Sequence, residues 1–215
     1  RSPPRADEVG LSWSGIELQS GNFANIKDIA IESGFYKVVD PVRSRAHDGI
    51  VSPEDRGAAT SNGVDGVLFD FGFRSFHIDE SGRGFSYLKN EPLDMRYEST
   101  QISADRTQIN AEKVVNEWPE NKLEKIFVEY GEERDSRKIA KAIVESRQIK
   151  QIRTTGELID ILNTVIASNA IKTYSRIFQA LRIVVNNELE NIKRGLEGAW
   201  GILKPNGRIV AISFH

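Results

Sequence analysis

The most informative absence is that of cysteine, since none of the 215 residues is one. Disulfide scaffolds, cysteine-ligated zinc, iron–sulfur clusters and thiol nucleophiles are therefore excluded. No apolar run approaches the roughly 20 residues that a membrane-spanning helix needs. The first residues also lack the apolar segment of a signal peptide. We therefore expect a cytoplasmic protein with no membrane partner.

Several catalytic signatures are missing as well. The sequence contains no P-loop, no GxGxxG dinucleotide fingerprint and no nucleophile elbow. Its three histidines, His47, His77 and His215, are isolated and lack the spacing of metal ligands, so we expect no metal site. The adjacent Glu132 and Glu133 would point apart on a helix, which favours a structural role.

Excess charge of either sign is also absent, because 29 Lys and Arg against 31 Asp and Glu leave a net charge of −2. Any nucleic-acid site must therefore be a local basic patch. Residues 134–153 hold seven basic and two acidic side chains, a local charge of +5. Such a run is typical of a phosphate-binding surface, and also of a solvated helix face.

Apolar runs predict the strands. Residues 64–72 (VDGVLFDFG) are typical of a buried parallel strand, and 208–214 predict another strand after a turn at 204–207. Asp70 closes the first of these strands, where its carboxylate could accept hydrogen bonds from an amino or hydroxyl group of a bound nucleotide. Gly72 would let the backbone approach that ligand closely. An aspartate that merely caps a loop gives the same pattern.

Helical spacing covers most of the rest. We expect a short helix after Asn25, helices from about 108 to 172, and one long helix from about 175 to 203. Thr154 and Glu157 have the spacing of a capping box. The order of elements predicts an open α/β domain interrupted by a helical insertion. Residues 40–63 are rich in turn formers and aperiodic, so we interpret them as a mobile surface insertion.

Nine segments in register extend this interpretation to a family. The chain resembles the bacterial MraW family of small-subunit ribosomal RNA methyltransferases over roughly residues 16–38 and 64–215. The resemblance is carried by DGVLFDFG at 65–72, GRGFS at 82–86, PLDMR at 92–96, YGEER at 130–134, AKAIVE at 140–145, TTGEL at 154–158, FQALRI at 178–183, NEL at 187–189 and ISFH at 212–215.

The resemblance implies an α/β fold with a Rossmann-like, S-adenosylmethionine-dependent methyltransferase core and a helical insertion domain. The core would combine residues 1–82 with 173–215, and the insertion, 83–172, would contact RNA. The implied reaction methylates the N4 amine of a cytidine in 16S rRNA of the small ribosomal subunit. The cofactor would be S-adenosylmethionine, and the sequence leaves a homodimer open.

Site residues follow from the matched segments. Cofactor contacts are expected at Phe23, Asp70, Gly72 and His77, the last standing where the family has glutamine. The candidates for accepting a hydrogen bond from the reacting amine are Asp94, Asn187 and Glu188, and the residues alone do not choose among them. The candidate phosphate contacts are basic side chains, namely Arg96, Arg134, Arg137, Lys141 and Arg182.

Departures from the family pattern keep alternatives open. The chain begins without Met, and the family's Gly-rich cofactor loop is expected before its first residue, so we expect a core incomplete at both ends. One alternative is a catalytically incompetent fragment that retains RNA binding. The other is a nucleotide-binding, Rossmann-type oxidoreductase. Binding of S-adenosylmethionine would argue against the incompetent fragment. Salt-dependent binding of rRNA would argue against the oxidoreductase.

Overall fold

The structure is a computed structural model that describes residues 63–71, 81–97, 109–166 and 170–213, together with Ile26, Asp28 and Ala30. These last three residues are helical, as the spacing after Asn25 predicts. Residues 16–23, for which the sequence also predicts a short strand, and the insertion expected at 40–63 lie outside the described residues, apart from Gly63. Among the described helices, none is long and apolar enough to cross a membrane.

The chain divides into two compact units. One comprises Arg1–Phe69 and Ile192–Ala211, and the other Asp70–Asn191 and Ile212–His215. These two units are defined by the contacts within each of them, whereas the core and the insertion were predicted from the family resemblance. The two divisions of the chain have different boundaries. The division of function between a core at 1–82 and 173–215 and an insertion at 83–172 therefore stays a prediction.

A small parallel sheet joins β1 (Val64–Asp70) to β2 (Leu203–Ile212). Lys204 bonds the Asp65 carboxylate near the start of both strands, at 3.0 Å. The Phe71 N–H donates to the Ile212 carbonyl at their ends, also at 3.0 Å. Register therefore advances in the same direction on both strands, which confirms parallel pairing in an α/β protein. The prediction that the first strand is buried is wrong, because Leu68 is 66% exposed and Phe69 is the one buried residue of β1.

The predicted turn at 204–207 is wrong, because β2 begins at Leu203 and continues through these residues. Asn206 has a φ of 65°, a left-handed conformation inside the strand. Asparagine tolerates this conformation better than most residues, so the backbone bends there without ending the strand. The turn-forming residues at 204–207 therefore produce a bend within β2. They do not form a loop between α6 and β2.

Six helices lie within residues 109–166 and 170–213. They are α1 (Ala111–Glu117), α2 (Glu120–Glu129), α3 (Ser136–Ile149), α4 (Thr155–Val165), α5 (Ala170–Val185) and α6 (Glu188–Ile202). Helices α1 to α5 bury one face each, as their apolar spacing predicts. Their largest fully buried side chains are Phe127, Leu123, Ile139, Ile143, Leu158, Leu162, Ile177, Leu181 and Val114.

The single long helix predicted over 175–203 is wrong, because α5 ends at Val185 and α6 begins at Glu188. Asn187 has a φ of 49°, which no α-helix accommodates. The chain changes direction at this residue, so the apolar spacing on either side belongs to two helices. Leu189, which would lie on the buried face of one continuous helix, is consequently 51% exposed.

The predicted capping box at the start of α4 is confirmed. The Thr154 hydroxyl accepts the Glu157 N–H at 3.3 Å, and the Glu157 carboxylate accepts the Thr154 N–H at 3.2 Å. The same carboxylate accepts from Lys150 at 2.6 Å and from the Arg153 N–H at 2.7 Å. These donors, the Lys150 ammonium foremost, lower the pKa of Glu157 from 4.5 to about 2.

The capping box gives a testable pH dependence. Glu157→Gln keeps an acceptor for the backbone but loses the charge, so we expect it to be less stable than wild type at pH 7. A depressed pKa stabilises the fold above pH 4.5, and this contribution disappears as the pH falls toward 2. Urea unfolding of both proteins across this pH range measures the difference between their free energies of unfolding. This difference should disappear in acid.

Thr154→Ala is the matched control for this experiment. It removes a cap without a titrating group, so its loss of about 0.5–2 kcal/mol should persist at every pH. A Glu157→Gln deficit as large at pH 2 as at pH 7 would contradict the assignment.

Candidate functional site

Asp70 is the described member of the expected cofactor contacts. It is the last residue of β1 and is exposed to solvent. Because β1 pairs in parallel with β2, Asp70 stands at the carboxyl end of a parallel strand, where ligands bind in open α/β sheets. The other expected contacts, Phe23, Gly72 and His77, lie outside the described residues.

Asp94 lies in a short irregular segment whose backbone is tied down on both sides. The Leu93 N–H donates to the Arg153 carbonyl at 2.9 Å, and the Asp94 carbonyl accepts the Ala111 N–H at 2.9 Å. Met95 is completely buried and has a φ of 60°, a conformation that non-glycine residues seldom adopt. This anchoring fixes the direction in which the side chain of Asp94 leaves the backbone.

The Asp94 carboxylate is paired with Arg96. The Arg96 Nη2 donates to Oδ2 at 2.8 Å and its Nε donates to Oδ1 at 2.5 Å, in a two-pronged arrangement. Only 13% of the arginine side chain and 24% of the aspartate side chain are exposed. This hydrogen bond to Asp94 raises the pKa of Arg96, so the guanidinium stays charged. A candidate proton acceptor and a candidate phosphate contact are thus partners.

Glu188 forms a second pair of the same kind. Its carboxylate accepts from Arg182 Nε at 2.8 Å and Nη2 at 3.2 Å, and from the Tyr97 hydroxyl at 2.6 Å. Burial raises the pKa of Tyr97, and the charge of Glu188 raises it further, so the phenol remains a donor. The ring of Tyr97 stacks on Phe85 with centroids 5.7 Å apart.

Asn186 links the two pairs. This buried amide accepts the Tyr97 N–H at 2.8 Å, and donates to the Met95 carbonyl at 2.7 Å and the Arg182 carbonyl at 3.0 Å. It therefore holds the segment that carries Asp94 against the end of α5. The sequence offers no direct signal for this role, because the bonded residues are 89 and 91 positions apart. The adjacent Asn187, a predicted site residue, is exposed.

The basic stretch at 134–153 is partly neutralised. Lys138 pairs with Asp135 at 2.8 Å, Lys141 with Glu145 at 3.7 Å and Lys150 with Glu157 at 2.6 Å. Arg147 instead donates to the Val115 and Trp118 carbonyls, both at 2.7 Å, and so holds the end of α1.

Two arginines of this stretch are differently placed. Arg134 and Arg137 are exposed, and within the described part of the chain neither has a carboxylate partner. The exposed ion pair of Lys141 contributes little to stability, so its ammonium could also exchange Glu145 for a phosphate. Of the five predicted phosphate contacts, these three face solvent, whereas Arg96 and Arg182 are committed to carboxylates.

Comparison with known proteins gives matches along most of the chain. Residues 14–215 match the model of the MraW methylase family. "Ribosomal RNA small subunit methyltransferase H" of Wolbachia pipientis wMel is 40% identical over 202 residues, covering 93% of this chain and 61% of that protein. The protein of the same name from Dictyoglomus thermophilum is 46% identical over 153 residues, covering 71% of this chain and 50% of that protein.

A third relative has the same name and a similar identity. "Ribosomal RNA small subunit methyltransferase H" of Paramagnetospirillum magneticum is 45% identical over 156 residues, covering 72% of this chain and 47% of that protein. The chain therefore spans about half to three fifths of the length of the curated relatives that it matches. None of these matches favours the oxidoreductase alternative.

Proposed function

Because this chain belongs to the MraW methylase family, we propose that it transfers a methyl group from S-adenosylmethionine to the N4 amine of a cytidine in 16S rRNA. The observation that carries the proposal is the family match over residues 14–215. The proposal includes a Rossmann-like core around β1 and β2, the small ribosomal subunit as partner and a cytoplasmic location. Whether the protein acts as a homodimer stays a prediction.

The cofactor fits the chemistry of the residue at the end of β1. A carboxylate at the carboxyl end of a parallel strand accepts hydrogen bonds from the amino and hydroxyl groups that a nucleoside presents. We assign this role to Asp70, which is exposed there, and complete the set with Phe23, Gly72 and His77 from the resemblance. When bound, S-adenosylmethionine supplies an electrophilic methyl group on a sulfonium.

The remaining chemistry is the activation of a weak nucleophile. The lone pair of the cytosine amine is delocalised into the ring, so a hydrogen-bond acceptor on the amine restores its nucleophilicity and takes its proton as the new bond forms. Asp94 and Glu188 can each do this, because a carboxylate accepts about four hydrogen bonds and each of them holds only a few donors. Asn187 can accept a hydrogen bond but not a proton.

The arginine partners position these carboxylates. Two-pronged pairing of Asp94 by Arg96 and of Glu188 by Arg182 leaves little rotational freedom at either acceptor. Proper alignment of an acceptor with its substrate contributes a large part of enzymatic rate enhancement. The target base must leave its stack to reach such groups, and its backbone must then be held by basic side chains.

The exposed arginines give a prediction on RNA binding. We expect the double variant Arg134→Ala/Arg137→Ala to lower the slope of log affinity for 16S rRNA against log salt by about 1.5, since each lost phosphate contact removes about 0.7–0.9. Filter binding at four salt concentrations measures the slope. Lys125→Ala is the control, because it removes an exposed positive charge on α2, outside the basic stretch at 134–153. An unchanged slope in the double variant would remove these two residues from the RNA surface.

The proposed function is tested with the 215-residue chain itself. Tritiated S-adenosylmethionine and small subunits that lack the N4 methyl group should yield labelled 16S rRNA, and no label would overturn the proposal. Calorimetry with S-adenosylmethionine separates the remaining alternatives. Binding that weakens in Asp70→Asn supports the proposed cofactor site. Absent binding, with RNA binding intact, supports the incompetent fragment.

A further inference from the structure

A cleft of about 280 Å³ opens between residues 85–88 and helix α5. Three of its nine lining residues are aromatic, namely Phe85, Tyr87 and Phe178. The Tyr87 ring meets the Phe178 ring edge to face, with centroids 6.0 Å apart and an interplanar angle of 84°. Small-molecule sites have volumes of about 300–1,000 Å³, so this cleft suits a single planar heterocycle and not a folded element.

The mouth of the cleft combines apolar surface with polar side chains. Leu88 is 82% exposed there, while Ser175 and Arg182 also line the cleft. The exposed Ser175 hydroxyl can bond the edge or the phosphate of a nucleotide whose base lies against the aromatic rings. Aromatic walls with polar edges are how proteins hold unstacked bases of single-stranded RNA.

The cleft is next to the candidate catalytic groups but does not include them. Met95, which follows Asp94, lines the cleft, and so does Arg182, which bonds Glu188. None of the three candidate acceptors, Asp94, Asn187 or Glu188, is among the lining residues. The residues that line the cleft include no carboxylate, so a base seated there meets no group that could take the proton of its amine.

We propose that this cleft binds a nucleobase of the RNA that flanks the methylated cytidine, and so holds the strand while the cytidine itself is placed at the carboxylates. The inference rests on the proposed function, from which the identity of the RNA comes. It adds a specificity site, because a base held next to the target selects the sequence or conformation around it.

An abasic scan tests the inference. Single-stranded RNAs of about ten nucleotides carry the target cytidine at the centre, and each neighbouring base is removed in turn. We expect one abasic position next to the cytidine to weaken binding to the wild-type chain by about tenfold, the effect of losing one stacked base. Removal of the same base should not weaken binding to Tyr87→Ala, which has already lost the ring. It should weaken binding to Tyr87→Phe as much as to the wild-type chain, because phenylalanine keeps the ring.

Leu88→Glu provides an independent variant, because Leu88 is 82% exposed and its replacement does not disturb the core. RNA with the missing base and intact RNA should bind Leu88→Glu equally well; the difference between them is called the abasic effect below. Val128→Glu, the same change at a side chain 50% exposed on α2, should retain it. The inference is overturned if the effect persists in both Tyr87→Ala and Leu88→Glu, if no position shows it, or if it falls on the cytidine itself.

Two further measurements separate this inference from its premises. If Leu88→Glu weakens calorimetric binding of S-adenosylmethionine, the cleft holds the cofactor's adenine, and the inference is overturned. If the wild-type chain labels 16S rRNA but shows no abasic effect, the cleft assignment fails while the proposed function stands. If the abasic effect appears without methyl transfer, the proposed function fails and the cleft still binds a base.

Discussion

Asp94→Asn is expected to lower the rate of methyl transfer by about 10²–10⁴-fold, the usual contribution of a positioned proton acceptor. The amide keeps an oxygen for the Arg96 guanidinium, so the segment should remain folded while its negative charge is lost. The measurement is single-turnover transfer of label from S-adenosylmethionine to 16S rRNA, with thermal unfolding recorded in parallel.

Asp135→Asn is the matched control, since it makes the same change at an exposed aspartate that pairs with Lys138. It should methylate at the wild-type rate. Glu188→Gln, measured alongside, distinguishes the two carboxylates, because the proton acceptor should show the larger loss. Wild-type rates in both Asp94→Asn and Glu188→Gln would remove these residues from the mechanism.

Asn186→Ala should be among the most destabilising polar substitutions in the described part of the chain. It leaves the Tyr97 N–H and the Met95 carbonyl without their partner. Each buried group left unsatisfied costs about 1–3 kcal/mol, so we expect a loss of about 2–6 kcal/mol. At about 2–4 °C per kcal/mol for a chain of this size, the midpoint of thermal unfolding should fall by about 4–24 °C.

Asn191→Ala is the comparison for that measurement. Asn191 donates only one side-chain hydrogen bond of this network, to the Asn186 carbonyl at 3.0 Å, and lies partly exposed. Its loss should therefore stay near 1 kcal/mol, the usual net contribution of one hydrogen bond. Equal stability of the two variants would show that Asn186 does not hold the segments together.

The sequence predicted the elements whose signals are local. Leu123, Ile126 and Phe127 have helical spacing and are buried on α2. Thr154 and Glu157 bond each other as a capping box because both partners lie within one turn. Asp70 was placed at the end of a strand by the apolar run before it, and it stands there. In each case the physical cause acts over a few residues.

The break between α5 and α6 shows where local signals fail. Ile192 and Leu196 continue the apolar spacing of α5, so periodicity alone gives one helix. The left-handed conformation of Asn187 ends the first helix. The sequence does not reveal this, because asparagine occurs both inside helices and in left-handed turns. The buried partners of Asn186 reinforce the break, and their distance along the chain hides them from any sequence pattern.

The candidate site is predicted in its composition but not in its pairing. Asp94, Arg96, Arg182 and Glu188 all come from matched segments, and the sequence gives them separate roles. Their pairing depends on the path of the backbone, which only the fold supplies. Tyr97 was missed because a lone tyrosine in a loop has no signature, although its hydroxyl contacts Glu188 at 2.6 Å.

The most direct test of the central claim identifies the methylated atom. Small subunits lacking the N4 methyl group are incubated with the chain and S-adenosylmethionine, and their 16S rRNA is digested to nucleosides for mass spectrometry. We predict N4-methylcytidine at a single position, formed about 10²–10⁴-fold more slowly when Asp94→Asn replaces the wild-type chain. A methyl group on carbon 5 of cytosine, on another base or on ribose would contradict it.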